Sequence, residues 1–312
     1  MVRCEAMQRT AKPEWLKVRP PAGERYGHIR QRVRQLGLAT VCEEARCPNI
    51  AECWGGGTAT IMLMGEICTR GCRFCHVKTG RPPALDAAEP QKVAGLIGEL
   101  GLDYIVLTSV DRDDLPDGGA AHFASTVRAL KTRVPEILVE VLIPDFRGDQ
   151  AAIEALVASR PDVVAHNIET TEPLTPAVRD RRATYAQSLG VLYDAKALGA
   201  RFTKSSLMLG LGEAEADVIK TLRDLRAVDC DIVTFGQYLQ PSRKHLPVRE
   251  FVTPARFAWY QDAAEVMGFA FVASGPLVRS SYRAGELFIQ GRIRGAGTDF
   301  AQGPPLIDLP LV

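Results

Sequence analysis

From about residue 58 the chain alternates short, nearly continuous apolar runs with segments whose apolar residues recur at helical spacing. The runs at 58–64, 104–109, 137–143, 163–167, 202–209 and 231–235 predict six strands. Between them lie helices: Asp149 is placed to cap one carrying Ile153, Leu156 and Val157, and one starting near Thr184 should end near Gly199. Thr253-Pro254 opens another, with Phe257, Tyr260, Ala264 and Met267 on its apolar side. Strands apolar on both faces and separated by helices mean a parallel sheet covered by helices.

The loops decide how that sheet is arranged. Segments that follow a strand are long or chemically unusual: 111–119 (DRDDLPDGG), 144–149 (PDFRGD), 167–171 (NIETT), 210–213 (GLGE) and 237–247 (QYLQPSRKHLP). Returns from helix to strand are short and plain. A site assembled at all the C-terminal strand ends is the habit of β/α barrels, whereas open sheets concentrate it at one switch point. The expected fold is therefore α/β, a partial (β/α)6 barrel over residues 58–273 with an N-terminal extension (1–57) and a C-terminal one (274–312). Within the first, 26–36 reads as an amphipathic helix carrying Ile29, Val33 and Leu36, closed by Gly37; a Gly/Pro-bearing tail from Arg292 reads as irregular.

Composition narrows the function classes. With 38 basic and 37 acidic residues the chain has no global field to draw it to nucleic acid or anionic lipid. The N-terminus mixes Arg3, Arg9 and Lys12 with Glu5 and Glu14, lacks an apolar signal region, and no apolar run reaches the roughly 18 residues of a membrane span. A cytoplasmic protein is expected, without membrane or nucleic-acid partners. Its eight cysteines are clustered: Cys42, Cys47 and Cys53 form one group, and Cys68, Cys72 and Cys75 a second. In a reducing compartment such groups favour metal or redox roles over disulfides. Cys230, before an apolar strand, reads as a core residue, and Cys4 lies in the terminus.

Cys68-x3-Cys72-x2-Cys75 directly follows the first barrel strand, and three thiolates can hold three corners of a 4Fe-4S cubane. The fourth iron is then open to a chelating substrate. Zinc is the alternative, since Cys72-x2-Cys75 has knuckle spacing and His76 is adjacent, but structural zinc wants four ligands and this loop supplies no obvious fourth. The motif resembles that of the radical S-adenosylmethionine superfamily. The resemblance implies S-adenosylmethionine chelated at the open iron, with reductive cleavage to a 5'-deoxyadenosyl radical.

Cys42-x4-Cys47-x5-Cys53 taken alone fits zinc, a cluster or core thiols equally. With Glu43-Glu44, Pro48-Asn49 and Trp54 around it, it resembles the second-cluster motif of the lipoyl synthase family. Similar motifs recur at 12–17 (KPEWLK), 111–120 (DRDDLPDGGA), 142–146 (LIPDF), 165–170 (AHNIET), 203–213 (TKSSLMLGLGE), 237–241 (QYLQP) and 275–284 (GPLVRSSYRA). The resemblance spans about residues 12–291. It implies two 4Fe-4S clusters and S-adenosylmethionine as cofactors, Ser281 as an unusual fourth ligand of the second cluster with a catalytic part, and Ser280 as its neighbour. Read without the family, either serine caps the segment beginning at Tyr282. The implied activity inserts sulfur at C6 and C8 of an octanoyl chain on a carrier-domain lysine, the second cluster being the sulfur donor. Implied partners are octanoylated lipoyl domains (glycine cleavage H protein, acyltransferase subunits of 2-oxoacid dehydrogenases), a low-potential electron donor such as ferredoxin or flavodoxin, and an iron-sulfur carrier.

Gly118, Gly119, Asn167 and Glu169 follow strands at the expected mouth and are candidate S-adenosylmethionine contacts; a Gly-Gly pair equally makes a turn, and Asn or Glu a cap. His28 and His122 fall in helical patterns without visible partners. His166 either faces the pocket or caps a strand end. His245 lies in a basic loop with Arg243 and Lys244 that reads as solvated surface, or as a face toward an acidic carrier. Two rival functions remain from the residues: another radical enzyme acting on a small molecule, and a non-catalytic iron-sulfur scaffold.

Overall fold

The computed structural model describes residues 12–17, 24–44, 49–50, 60–102 and 104–280. The expectations for Cys4, Cys47, Cys53, Ser281 and the tail from Arg292 lie outside these residues, and of Cys42 only the backbone lies within them.

All six predicted strands form: β2 (Thr60–Leu63), β5 (Tyr104–Ser109), β6 (Leu138–Leu142), β7 (Val163–Ala165), β8 (Phe202–Leu209) and β9 (Ile232–Gln237), each parallel to the next. Two more complete the sheet. β1 (Ala39–Thr40) pairs antiparallel with β2, and β10 (Phe271–Gly275) adds a further parallel strand beyond β9. The sheet thus runs past position 273, where the sequence reading ended it. Its order is β1-β2-β5-β6-β7-β8-β9-β10, and among the described residues no ladder joins the two edges, so over these residues the barrel is open. A separate two-residue ladder, β3 (Ile67–Cys68) with β4 (Lys78–Thr79), closes the cysteine loop on itself.

Alternation along the strands sorts the side chains into two layers. Ile105, Leu107, Val139, Val141 and Val164 face outward onto α3 (Glu89–Leu100), α4 (Ala120–Arg133) and α5 (Gln150–Val157). Leu207, Leu209, Val233 and Phe235 do the same against α8 (Glu215–Ala227) and α9 (Pro254–Val266). Each such side chain, when fully buried, contributes roughly 1.5–3 kcal/mol. N-caps set the helix starts: Asp149 accepts from the Ala151 amide at 3.0 Å, Thr253 from Arg256 at 3.2 Å, and Thr184 from Gln187 at 3.2 Å to open α7 (Tyr185–Ala197). The N-terminal helix α1 (Glu24–Gln35) buries Ile29 and Val33 as its spacing predicts, and a short helix α2 (Val41–Glu44) follows β1.

The inward layer is different at each end. At the N-terminal end Tyr104, Val106, Leu138, Val163 and Ile232 fill the barrel, and among them Lys204 holds both carboxylate oxygens of Glu140 at 2.9 Å. At the other end the layer turns small and polar, with Thr108, Ser206 and Gly236. The cavity opens there.

Candidate active site

The cavity has a volume of about 540 Å³ and lies at the C-terminal ends of the strands, as the loop chemistry anticipates. Cys68, Cys72 and Cys75 line one side, and Asn167, Glu169 and Arg179 stand across the same space. Strong contacts fix the cysteine loop. The Thr69 amide donates to the Asp111 carbonyl at 3.0 Å, Arg73 to the Val178 carbonyl at 2.9 Å, and Gly71 to the Asp180 carboxylate at 2.9 Å. The Asp180 amide in turn donates to the Cys72 sulfur at 3.3 Å. A Cβ at Gly71 would meet only Thr79 at ordinary distance, so no contact within the protein demands glycine there.

At the centre of the loop, Arg70 is buried and reaches two other strand ends. Its Nε and Nη2 donate to Asp113 at 2.9 and 2.8 Å, and its Nη1 and Nη2 to Asp145 at 2.6 and 2.7 Å. Asp111, 3.4 Å from Arg70 and 3.6 Å from the Cys68 sulfur, is raised to about 6 by burial, which the Arg70 charge opposes and the neighbouring Asp145 and Asp113 reinforce. Burial also pushes the three thiols up, Cys68 and Cys72 to about 12 and Cys75 to about 11. A metal held there would have to displace their protons.

Opposite the thiols, Glu169 occupies the left-handed region (φ 68°), pinned by its amide to the Ser206 carbonyl at 3.0 Å and by the Met208 amide to its own carbonyl at 2.9 Å. Burial raises its carboxyl, against the Arg179 charge and the Asn167 amide that donates to it at 3.1 Å. His166 answers the question the sequence left open. Its ring is buried, with Nδ1 donating to the Ile143 carbonyl and Nε2 accepting from Ser188, both at 2.9 Å, while Arg179 Nη1 donates to Ser188 at 2.7 Å. Burial first and the Arg179 charge second hold it neutral, near 4.

Gly118 and Gly119 are not brought to this cavity. They form the turn into α4, with φ of 62° and 92°, capped by Asp117, and a Cβ on either would run into Phe146 or Met64. The pair serves close packing and an unusual backbone, the turn alternative of the sequence reading. Conversely, Arg70, Asp111, Asp145 and Arg179 were not singled out from sequence. The DRDD run and the arginine inside the cysteine loop were visible signals, but their pairing spans up to 75 positions.

A resident cluster and nucleoside fit these residues. Three thiols leave a cubane one open corner. Beside them Asn167 Oδ1, Arg179 Nε and Ser109 Oγ are buried without a hydrogen-bond partner among the described residues, which suits a ligand carrying both charges and hydroxyls. The fourth donor that the zinc alternative requires, His76, directs Nδ1 to the Glu44 carbonyl at 3.1 Å and packs its ring against His245.

A sheet of this order with a three-thiol loop after its first parallel strand defines a radical S-adenosylmethionine enzyme, and the model of the Radical SAM superfamily matches residues 62–225. Solved structures share the fold: the FeFe-hydrogenase maturase HydG from Carboxydothermus hydrogenoformans aligns with a TM-score of 0.53 at 14% identity, over 85% of this chain and 78% of its own. Streptococcus suis SuiB bound to S-adenosylmethionine aligns at 0.55 and 9%, over 73% and 54%. The model described as the N-terminal domain of lipoyl synthase matches residues 1–47. Lipoyl synthase of Anaeromyxobacter dehalogenans is 62% identical over 90% of this chain and 96% of its own, that of Myxococcus xanthus 60% over 90% and 95%, and the mitochondrial lipoyl synthase 1 of Phaeodactylum tricornutum 59% over 93% and 78%. The chain belongs to the lipoyl synthase family, and so is a radical enzyme that uses a 4Fe-4S cluster and S-adenosylmethionine. Among the described residues no helix is long and apolar enough to cross a membrane.

Proposed function

We propose that this enzyme inserts two sulfur atoms, at C6 and C8 of an octanoyl chain amide-linked to a lysine of a lipoyl carrier domain, and that a second 4Fe-4S cluster is the sulfur-donating co-substrate. The observation that carries this reading is a pair of long-range contacts. His76, next to Cys75, donates to the Glu44 carbonyl on the helix that bears Cys42, and Asn49, between Cys47 and Cys53, donates to the Leu277 carbonyl at 2.5 Å, four positions before Ser281. These contacts support the reading: they set Glu44 against the first cysteine loop and Asn49 against the segment after β10.

In this proposal Cys68, Cys72 and Cys75 hold the first cluster, and Cys42, Cys47, Cys53 and Ser281 the second. When bound, the first cluster and S-adenosylmethionine supply the radical that removes hydrogen from an unactivated carbon. The chain's own residues do the rest. Asn167 and Glu169 offer an acceptor pair for the hydroxyls or ammonium of S-adenosylmethionine, and Arg179, held by Ser188, offers a cation to its carboxylate. Met62, Leu142, Met208 and Val278 give the cavity an apolar wall for the octanoyl chain. Ser281 would give the second cluster a harder and poorer iron ligand than thiolate, and so a more labile one.

Glycine cleavage H protein and the acyltransferase subunits of 2-oxoacid dehydrogenases are the carriers this reading implies, with a ferredoxin- or flavodoxin-type donor and an iron-sulfur carrier for rebuilding. The test is anaerobic turnover on an octanoyl-lysine peptide with mass analysis: products heavier by one and then two sulfurs are expected, and a single insertion or none overturns the reading. Ser281→Ala should lose sulfur insertion yet still form 5'-deoxyadenosine, and an unchanged lipoyl product would remove the serine from the mechanism.

A further inference from the structure

The chain as a whole is almost neutral, 38 basic against 37 acidic residues, but its charge is not evenly distributed around the cavity mouth. Three loops meet there: the cysteine loop, the segment after α6 (Thr175–Val178), and the long connection from β9 to α9. Their backbones are bonded to one another. Arg73 donates to Val178, Leu246 donates to Arg73 at 3.2 Å, and His245 Nε2 donates to the Cys75 carbonyl at 2.8 Å while Ser242 donates to its Nδ1 at 2.9 Å. The basic loop that the sequence offered mainly as solvated surface is thus fastened to a cluster-ligand residue.

From these loops Arg73, Arg181, Arg243 and Lys244 stand exposed, and none forms an ion pair among the described residues. Arg73 gives its guanidinium to the Ala177 carbonyl at 3.0 Å, which leaves its charge uncompensated. The nearby carboxylates are already engaged: Asp180 by Arg182 at 2.9 Å, Asp113 by Arg70 and Arg182, and Glu66 by Lys78 at 2.8 Å. Four uncompensated cations on one rim, in a chain of net charge +1, create a local positive field at the cavity mouth.

We propose that this rim is the docking surface for an acidic face of the carrier domain, the face that surrounds its octanoylated lysine. The inference rests on the octanoyl-lysine reading above. Because the loop carrying Arg243 and Lys244 is bonded to Cys75, docking there fixes the entry of the acyl-lysine arm relative to the first cluster. Rim charges of this kind act on encounter rate and on salt dependence more than on the bound complex.

The test uses the full-length enzyme reconstituted with iron and sulfide, and two substrates: an intact octanoylated carrier domain and a short, uncharged octanoyl-lysine peptide. Arg243→Glu combined with Lys244→Glu should raise KM for the domain by roughly tenfold at low ionic strength. The difference should shrink as salt is added, and kinetics on the peptide should stay as in the parent, which also shows that the variant is folded and loaded. As a second measurement, KM of the parent for the domain should rise with ionic strength while KM for the peptide does not. A parent enzyme insensitive to salt with the domain, or a variant with parental KM for it, overturns the docking surface while the octanoyl-lysine reading stands. Absence of turnover on both substrates by the parent overturns both.

Discussion

Truncating Arg70 to alanine tests whether the cysteine loop is held by charge. The guanidinium side chain is 3% exposed and its partners Asp145 and Asp113 are 1% and 15% exposed, so the variant leaves Asp145 in a poorly hydrated place with no ion-pair partner among the described residues, and Asp113 with Arg182 alone at 3.1 Å. At an effective dielectric of about 20, one unit-charge pair near 3 Å is worth roughly 5 kcal/mol before desolvation. Removing one partner of a buried pair typically costs about 3–5 kcal/mol. The second carboxylate adds to that loss and proton uptake relieves part of it, which gives about 4 kcal/mol near neutral pH. Arg70→Lys keeps the charge but cannot fork between two carboxylates, and should cost about half as much.

The pH dependence has a definite sign. Burial pushes the Asp145 carboxyl up, but Arg70 outweighs it and holds the group below the ordinary carboxylate range, as it does Asp113. A lowered carboxylate contributes stability that is present above its unfolded value, about 3.9, and lost as the pH falls through its folded value. The Arg70→Ala protein should therefore have lost this contribution already at neutral pH, and its stability should fall less on acidification toward pH 3. Urea unfolding of the cluster-free protein across pH, with iron and acid-labile sulfide counted after anaerobic loading, measures both effects. If Arg70→Ala unfolds within about 1 kcal/mol of the parent and takes up full iron, the loop is positioned by something other than this clamp.

Gly236→Ala should abolish turnover while leaving the outer core folded, because a Cβ on β9 would collide with the Val278 carbonyl and displace the segment 278–280 that lines the cavity; circular dichroism with turnover assays checks it, and near-parental activity would contradict the packing. Lys204→Met should cost about 3–5 kcal/mol in urea unfolding, and adding Glu140→Leu should recover most of it, since both charges are then gone; a double-variant loss equal to the sum of the two single losses would mean the pair is not coupled. His166 is held neutral down to about 4 against 6.5 unfolded, so between those values the unfolded chain binds more protons and stability falls with acid, by at most roughly 3 kcal/mol. His166→Gln should remove that slope, and a slope unchanged in the variant would assign it to other groups.

What the sequence disclosed and what it concealed divides along separation in the chain. The caps at Asp149, Thr184 and Thr253, the six strands and the burial of Cys230 were legible because each depends on residues a few positions apart. His122 looked partnerless yet bonds Glu89 at 2.6 Å, and that carboxylate also accepts the Met64 amide at 2.9 Å. No local pattern encodes a contact 33 residues away. β10 escaped because its short run, FVASG, ends in a glycine followed by proline, which reads as the start of an irregular segment. Gly118 and Gly119 show a second limit: a glycine pair in a mouth loop has the same sequence whether its freedom serves a ligand or a turn, and only the structure shows the close neighbours Phe146 and Met64.

The unpaired edges of the sheet explain how segments remote in sequence, around Asn49 and Leu277, can meet. A closed eight-stranded barrel would fill its interior with side chains from alternate strands. Here β10 and β1 leave a gap, and the Asn49 side chain reaches the Leu277 carbonyl between the segments that follow those two strands. The chain after β10 can lie across the top only because Gly236 lacks a Cβ. An incomplete sheet thus has a positive use: the mouth is walled by segments from both ends of the chain instead of by a further βα loop. A lengthened β10 that paired with β1 would strengthen the sheet and remove the very opening through which Asn49 and Leu277 meet.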